Sequence, residues 1–316
     1  MELRHLRYFV TVAEEQHFTR AAARLNMQQP PLSQQIRALE DELGFALFLR
    51  HPKGVALTAG GAAFLLEARD ILARVGQGAH RAARVARGID GTLALGFTSS
   101  AAAHALIPRI IRAYRESYPD VEIAIAEDNA QGLTQRVAEG RLDIGILRAP
   151  VSAPEGVTYH RLLNEAMLLA LPSNHRLIAG IGEEALESLE RRGLPLATLA
   201  DEHFILVRKP GAPGMYANLL DACRHAGFEP WVAFEVDRML TNLSLVAAGA
   251  GLSAVPASMT ELHRSSIFYC PILDARPRLA APITLACRAF NPSPALQNFI
   301  ALARQLAGRP QRRDRG

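Results

Sequence analysis

Apolar residues recur at helical spacing through residues 1–89, and the pattern then changes character. Leu6, Phe9, Val10 and Ala13 mark one face of a helix over residues 3–16. His17-Phe18-Thr19 breaks it, and Thr19 is placed to cap the next helix. Residues 18–43 read as two helical segments either side of a short break at Asn26-Met27-Gln28. The first is Ala-rich, which lets a second helix pack close. The second opens with Pro30 and Pro31, suited to a first turn whose N–H groups lack intrahelical partners. Its apolar stripe is Leu32, Ile36, Leu39 and Leu43, and Gly44 ends it. Residues 45–50 and 55–57 form two short strands around a turn at 51–54. Thr58 is placed to cap a long helix over 59–89, with Leu65, Ala68, Leu72, Val75, Ala79, Ala82 and Ala86 at spacings of three and four.

Past residue 90, short apolar runs alternate with helical stretches. Strands are predicted at 92–97, 121–127 and 142–146, with helices at 103–117 and 133–139. Segments 157–163 and 166–171 lead out of this unit. A second unit follows, with strands at 204–207, 232–236 and 252–255 and helices at 215–226 and 239–248. Strands at 267–271 and 283–286 are expected to return to the first unit before a final helix at 294–307. Such alternation implies mostly parallel sheet with helices on its faces. Two α/β lobes joined by two crossing segments make a cleft, and ligands in such folds sit outside strand carboxyl ends.

The polar positions of the second helix of the pair point to a chemistry. Gln29, Ser33, Gln34 and Arg37 lie off its stripe with no carboxylate among them, whereas Glu40, Asp41 and Glu42 come later. Amide, hydroxyl and guanidinium groups near a helix start suit base edges and phosphates in a DNA major groove. An ordinary helical hairpin with a polar face is the plainer alternative. A hairpin after a helix-turn-helix is a wing, and Arg50, His51 and Lys53 at its tip suit phosphate contact or a simple solvated turn. The long helix has little to pack on within its own chain, so it reads as a dimerisation helix, with a linker lying on its own domain as the alternative.

Composition narrows the class. The chain has 316 residues, 49% apolar and 21% charged, ordinary for a soluble globular protein of two or three domains. No apolar run approaches a membrane span, and MELRHLRYF carries charges where a signal peptide needs an apolar core, so a cytoplasmic protein with no membrane partner is expected. Cys223, Cys270 and Cys287 are far apart, without metal-ligand spacing, and read as buried inert thiols. Net charge is +4, but residues 1–90 hold 12 Lys/Arg against 9 Asp/Glu, and residues 91–308 hold 19 against 21. The basic excess thus lies at the N-terminal end and in the tail over 309–316, which also reads as a solvated, disordered end. Ten histidines are scattered without a metal-binding pair, and no nucleophile elbow, P-loop or dinucleotide fingerprint appears. No catalytic residue, metal or cofactor is therefore expected, and an enzyme is the disfavoured class. A ligand-free architectural DNA-binding protein is the other alternative, against which a two-lobed domain with a cleft argues.

The chain resembles the LysR-type transcriptional regulator family over essentially its whole length. The residues that carry the resemblance are Leu6-Arg7-Tyr8-Phe9, Phe18-Thr19-Arg20-Ala21-Ala22, Gln29-Pro30-Pro31-Leu32-Ser33, Ile36-Arg37-Ala38-Leu39-Glu40, Leu57-Thr58-Ala59-Gly60-Gly61, Leu142-Asp143-Ile144-Gly145-Ile146 and Leu245-Val246-Ala247-Ala248-Gly249-Ala250-Gly251, in the family's order. The resemblance implies an α/β protein with a winged helix-turn-helix over 1–58 and a linker or dimerisation helix over 59–89. It also implies a two-lobed effector domain over 90–308, shaped like a periplasmic solute-binding protein. Lobe I is expected over about 90–162 and 267–308, and lobe II over about 163–266. The implied partners are double-stranded promoter DNA, a small-molecule effector and further copies of the chain in a dimer or tetramer, with RNA polymerase a further candidate. Thr19, Gln29, Pro30, Pro31, Ser33, Gln34, Arg37 and Lys53 are the implied DNA-binding residues. Two departures stand out, Gln28 for a more usual Ser and Gln34 for a basic residue. Gln28 is a poorer cap, and the Gln34 amide could read adenine.

For the effector, Gly96-Phe97-Thr98-Ser99-Ser100-Ala101 ends a strand and opens a helix, where hydroxyls and free N–H groups suit an anion. Ser99 is equally a helix cap. Arg148 matches a position used by aromatic-acid-responsive members, and its fork suits a carboxylate, with a surface or interdomain salt bridge as the alternative. Arg208, Lys209 and Pro210 end a second-lobe strand, and Thr241 opens a helix there. Thr98, Ser99, Ser100, Arg148, Arg208 and Thr241 are thus the candidate effector residues. The overall look is that of the branch controlling aromatic-compound catabolism, which implies an aromatic or related carboxylate. Residues 182–192 form an added helix beyond the usual family pattern.

Overall fold

The computed structural model of the protein describes residues 1–52, 54–207, 215–275, 279–291 and 293–308. Lys53, the stretch Arg208-Lys209-Pro210 and the tail over 309–316 lie outside the described residues. The chain divides into two compact units, Met1–Arg84 and Val85–Gly316.

The first unit holds α1 (Leu3–Glu15), α2 (Phe18–Arg24), α3 (Gln29–Leu43), the hairpin β1 (Phe48–His51) and β2 (Gly54–Leu57), and all but the last two residues of α4 (Ala59–Ala86). The helical stripes meet in one core. Leu6, Phe9 and Val12 of α1 join Phe18 of α2, Leu32, Ile36 and Leu39 of α3, and Phe48 and Val55 of the hairpin. Phe9 lies 5.4 Å from Phe48 and 5.3 Å from Phe64, ring centre to ring centre. Thr19 does not cap α2. His17 holds the cap position, its Nδ1 accepting from the Thr19 N–H at 3.2 Å, which leaves Thr19 exposed inside the first turn. Gln28 precedes α3 with no side-chain cap hydrogen bond.

Tertiary bonds fix the hairpin's place. The Glu40 carboxylate, half-buried on α3, accepts from the Leu47 and Phe48 N–H groups at 2.7 and 3.2 Å. These bonds delay the first strand to Phe48, later than the expected residue 45. On the return strand the Val55 N–H donates to the Gln16 carbonyl at 3.0 Å. Thr58 caps α4 as expected, accepting from the Gly61 N–H at 2.8 Å while donating to the Ala46 carbonyl at 2.7 Å. Of α4 only Gly61 and Ala68 are buried, and Leu66 and Val75 are exposed.

The second unit begins with β3 (Gly91–Phe97), α5 (Ser99–Ala102), α6 (Leu106–Ser117), β4 (Val121–Glu127), α7 (Ala130–Ala138) and β5 (Ile144–Leu147). β6 (Val157–Pro172), α8 (Glu183–Arg192), β7 (Leu194–Pro195), β8 (His203–Val207), α9 (Met215–His225) and β9 (Trp231–Val236) follow. The chain closes with α10 (Met239–Ala247), β10 (Ser253–Pro256), β11 (Ile267–Leu273), β12 (Ala280–Arg288) and α11 (Pro294–Ala307). The main sheet runs β4-β3-β5-β12-β6-β11-β7, with β10 also on β6, while β8 and β9 pair in parallel beside it.

The two segments expected at 157–163 and 166–171 are one strand. β6 pairs with β12 from Val157 to Ala166, and from Met167 onward with β10 and β11. Each half of β6 therefore belongs to a different core. One core gathers Leu93, Leu95, Ile110, Tyr114, Ile146, Leu285 and Phe299; the other gathers Leu169, Leu171, Phe204, Leu219, Leu243, Val255 and Cys270. β11 packs in the second core, so the chain returns to the first lobe with β12 and not at residue 267 as expected. The helix expected at 103–117 starts later, as α6 at Leu106, whose N–H donates to the His104 Nδ1 at 3.0 Å, and the short α5 precedes it. The added helix is present as α8, with Leu186 and Leu189 packed on the second core.

All three cysteines are free and buried, and burial pushes the thiols of Cys223 and Cys270 up to about 12. No helix among the described residues is long and apolar enough to cross a membrane.

Gly61 sits where α4 meets the hairpin. A Cβ there would lie 2.1 Å from the Leu47 carbonyl oxygen, against backbone that cannot rotate away. Gly61→Ala is expected to destabilise the N-terminal unit by about 1–3 kcal/mol, the usual cost of overpacking, measured by urea unfolding.

Candidate functional site

The N-terminal candidate surface is built on the first turns of α3. Leu32, Ile36 and Leu39 are anchored in the core, which orients the opposite face outward. Pro30, Pro31, Gln34 and Arg37 are exposed there, Gln29 is half-buried, and Thr19 is exposed on α2. These side chains present amides, a hydroxyl and one guanidinium without a carboxylate among them. Ser33 differs from its expected neighbours. It is 9% exposed, and its Oγ lies 3.1 Å from an Arg50 guanidinium nitrogen. Arg50 also sits over the Phe18 ring at 5.1 Å. It was expected at the wing tip, in phosphate contact or in a simple solvated turn. Strand alternation places Arg50 on the side of buried Phe48, and although the residue is exposed its head group reaches Ser33 and Phe18.

In the second unit, β3 delivers Thr98 to the start of α5. The Thr98 Oγ1 accepts from the Ala101 N–H at 3.2 Å and lies 3.4 Å from the Ser100 Oγ. Thr98, not Ser99, is thus the cap. Ser99 is half-buried and Ser100 buried. α10, from the other lobe, packs against α5 and brings Thr241, exposed in its first turn. α10 has no side-chain cap of its own. Arg238, just before it, donates to Glu127 at the end of β4 at 2.9 Å and ties the two lobes together.

The expectation for Arg148 needs correcting. Its guanidinium is not open to a ligand carboxylate, because the side chain is buried and its Nη1 pairs with Glu165. Its Nη2 donates to the Ser100 carbonyl and, at 3.0 Å, to the Ser258 Oγ. Glu165 is itself held by the Ser258 N–H at 2.8 Å and the Ser258 hydroxyl at 2.9 Å. The alternative of an ion pair between lobes is what the structure shows. Burial pulls the Arg148 pKa below its ordinary value, and Glu165 opposes that shift. Glu165 lies at the last residues of β6 that pair with β12, so the ion pair marks the junction between lobes. His104, beside this pair, has its pKa lowered by burial first, then by the Arg148 and Arg109 charges, against the pull of Glu165. Arg208 lies outside the described residues.

Removing one partner of a buried pair leaves the other charge uncompensated. Glu165→Ala is expected to cost about 3–5 kcal/mol of stability in urea unfolding, and Glu165→Ala with Arg148→Met to recover much of it. His104 carries a pH signature. Below its ordinary value of 6.5 the unfolded chain takes up a proton that the folded chain resists, so stability falls as the pH drops through that value. His104→Asn is expected to flatten this acid slope between about pH 7.5 and 5.5. An unchanged slope would remove His104 from the account.

Comparisons with known proteins agree with this geometry. Residues 3–62 match the family model described as a bacterial regulatory helix-turn-helix protein of the lysR family, and residues 86–308 match the LysR substrate binding domain. The HTH-type transcriptional regulator AlsR of Bacillus subtilis is 36% identical over 316 residues, covering 100% of both chains. The regulator BenM of Acinetobacter baylyi is 35% identical over 97% of this chain and 96% of its own. The crystal structure of CbnR, a LysR family transcriptional regulator, superposes with a TM-score of 0.76 at 30% identity, over 96% of this chain and 100% of that one. Full-length CbnR complexed with its target DNA superposes with a TM-score of 0.77 at 29% identity, over 97% and 100%. With a helix-turn-helix, a wing and a two-lobed domain in the same order along its full length, the chain belongs to the LysR family of DNA-binding transcriptional regulators with an effector-binding domain.

Proposed function

We propose that α3 reads the major groove of an operator and that an aromatic or related carboxylate, entering between the lobes of the second unit, controls the outcome. The observation that carries the first part is the carboxylate-free face of Gln29, Pro30, Pro31, Gln34 and Arg37 at the start of α3, with Thr19 exposed on α2. Gln34 reads adenine through its amide, and Lys53 contacts phosphate from the wing. The work is done in the cytoplasm on chromosomal DNA, with RNA polymerase as a further partner.

For the effector, the hydroxyls of Thr98, Ser99 and Ser100 and the uncapped first turn of α10 with Thr241 supply the contacts. Arg148 acts indirectly, by holding the Ser100 carbonyl. Arg208 is the candidate cation for the ligand carboxylate. Thiol-based sensing is disfavoured, since burial holds all three cysteines in the protonated form. Self-association follows from α4, whose exposed Leu66 and Val75 suit a second copy, and a tetramer is two such pairs. Effector binding closes the lobes and alters DNA bending through α4.

A thermal-shift screen of the full chain against aromatic and aliphatic carboxylates tests this. A ligand at a hundred times its Kd adds about 2.7 kcal/mol of stability. The expected hit is an aromatic acid whose shift is lost in Ser99→Ala and Thr241→Val. A shift kept in both variants places the pocket elsewhere, and no shift with any acid sinks the carboxylate class. An operator footprint unchanged by a saturating hit would remove the bending step.

A further inference from the structure

We infer that Arg50 is a positioning residue for sequence recognition, holding the wing against α3 and committing the Ser33 hydroxyl as a hydrogen-bond donor toward DNA. The inference rests on α3 being the helix that reads DNA, as proposed above. It differs from phosphate contact, the usual work of a basic residue on a wing.

The geometry starts from strand alternation. Phe48 is buried and Leu49 is 59% exposed; Arg50, on Phe48's side of the strand, is itself exposed, but its guanidinium lies against the helices. There one guanidinium meets two helices at once. It stacks over Phe18 of α2 at 5.1 Å and reaches the Ser33 Oγ of α3 at 3.1 Å. The Phe18 ring is in turn edge-on to Phe48 of Arg50's own strand at 6.0 Å. A planar, forked guanidinium can stack and donate in the same pose, which a lysine ammonium cannot.

Two consequences follow for recognition. Arg50 is opposite Val55 in the hairpin ladder, so fixing Arg50 fixes the strand pair that carries the turn after His51. Glu40 holds the start of β1 and Gln16 holds Val55, while the Arg50 bond reaches the first turns of α3, where the exposed amides lie. The second consequence concerns Ser33. A serine hydroxyl both donates and accepts. With a cation donating to its oxygen, the Ser33 proton is directed to some other acceptor, and DNA offers phosphate oxygens and purine N7 or O6. Ser33, nearly buried, then acts at a fixed angle from the base of the wing.

The test uses full-length protein and the duplex that wild type enriches from a random-sequence library, with a scrambled duplex as the non-specific probe. Arg50→Gln and Arg50→Lys are both expected to cut selectivity, the ratio of the two affinities, about tenfold, the scale of one mismatched base pair. The salt dependence on the scrambled duplex should not change. Ser33→Ala should lose a similar amount and add nothing in the Arg50→Gln background. Melting curves run alongside, and if the Gln variant does not fold, the Lys variant, which keeps the aliphatic stem on Phe18, carries the test. Restored selectivity in Arg50→Lys, with the log–log salt slope of Arg50→Gln reduced by about 0.9, would make Arg50 a phosphate contact and overturn the inference. Additive losses, or lower stability with unchanged selectivity, would overturn it as well. A library from which wild type enriches no sequence would remove the recognition-helix reading and the inference with it.

Discussion

The second unit depends on one strand shared by two cores. β6 gives its first half to β12 and the first-lobe core, and its second half to β10, β11 and the second-lobe core. A shared backbone ladder lets the lobes keep separate hydrophobic cores without becoming separate bodies. It also concentrates their coupling in a short stretch of chain. Glu165 stands in that stretch, and the Arg148 ion pair joins it to α5 on one side and Ser258 on the other. A buried pair adds little net stability, because desolvation cancels most of the attraction. Its value lies in geometry. Both charges must keep their partners, so the junction resists sliding, and one guanidinium bonds both α5 and Glu165.

The first unit shows the same economy on a smaller scale. A two-stranded hairpin is barely stable by itself in water. Here Glu40 supplies acceptors for the N–H groups at its entrance, Gln16 for its return strand, and Thr58 bonds its exit to the start of α4. Gly61 lets α4 approach close enough for that last bond. The wing is thereby part of the same core as α3, and a polar surface spread over two elements can act as one.

Polar groups in both units do structural work before any ligand arrives. Arg50, Arg148 and Glu40 are all residues that a surface-oriented view assigns to phosphate, effector or solvent. Each instead satisfies a partner inside the fold. Exposed or half-buried beside them is a less charged set: amides and prolines on α3, the Ser99 hydroxyl at α5 and the Thr241 hydroxyl at α10. Recognition by such groups relies on placement more than on charge, which is why the buried ion pairs and the wing bonds matter to it.

Local chemistry was legible from the chain alone. The stripes on α1, α3 and α4 follow from helical period, and Pro30, Pro31, Gly44 and Thr58 bound their elements because each acts on its own neighbouring backbone. The α/β alternation and the family motifs set the architecture for the same reason. Where the expectation went astray, a distant partner decided. β11 went to the second core because its face packs there, whereas the His17 cap is a local exception, a ring nitrogen two residues before Thr19. Arg148 and Arg50 each find their partner seventeen residues away in sequence, on another element. Backbone periodicity determines which residues point inward, since it depends only on nearest neighbours. Which charge meets which is decided only when elements pack, since that depends on distances the chain does not encode locally.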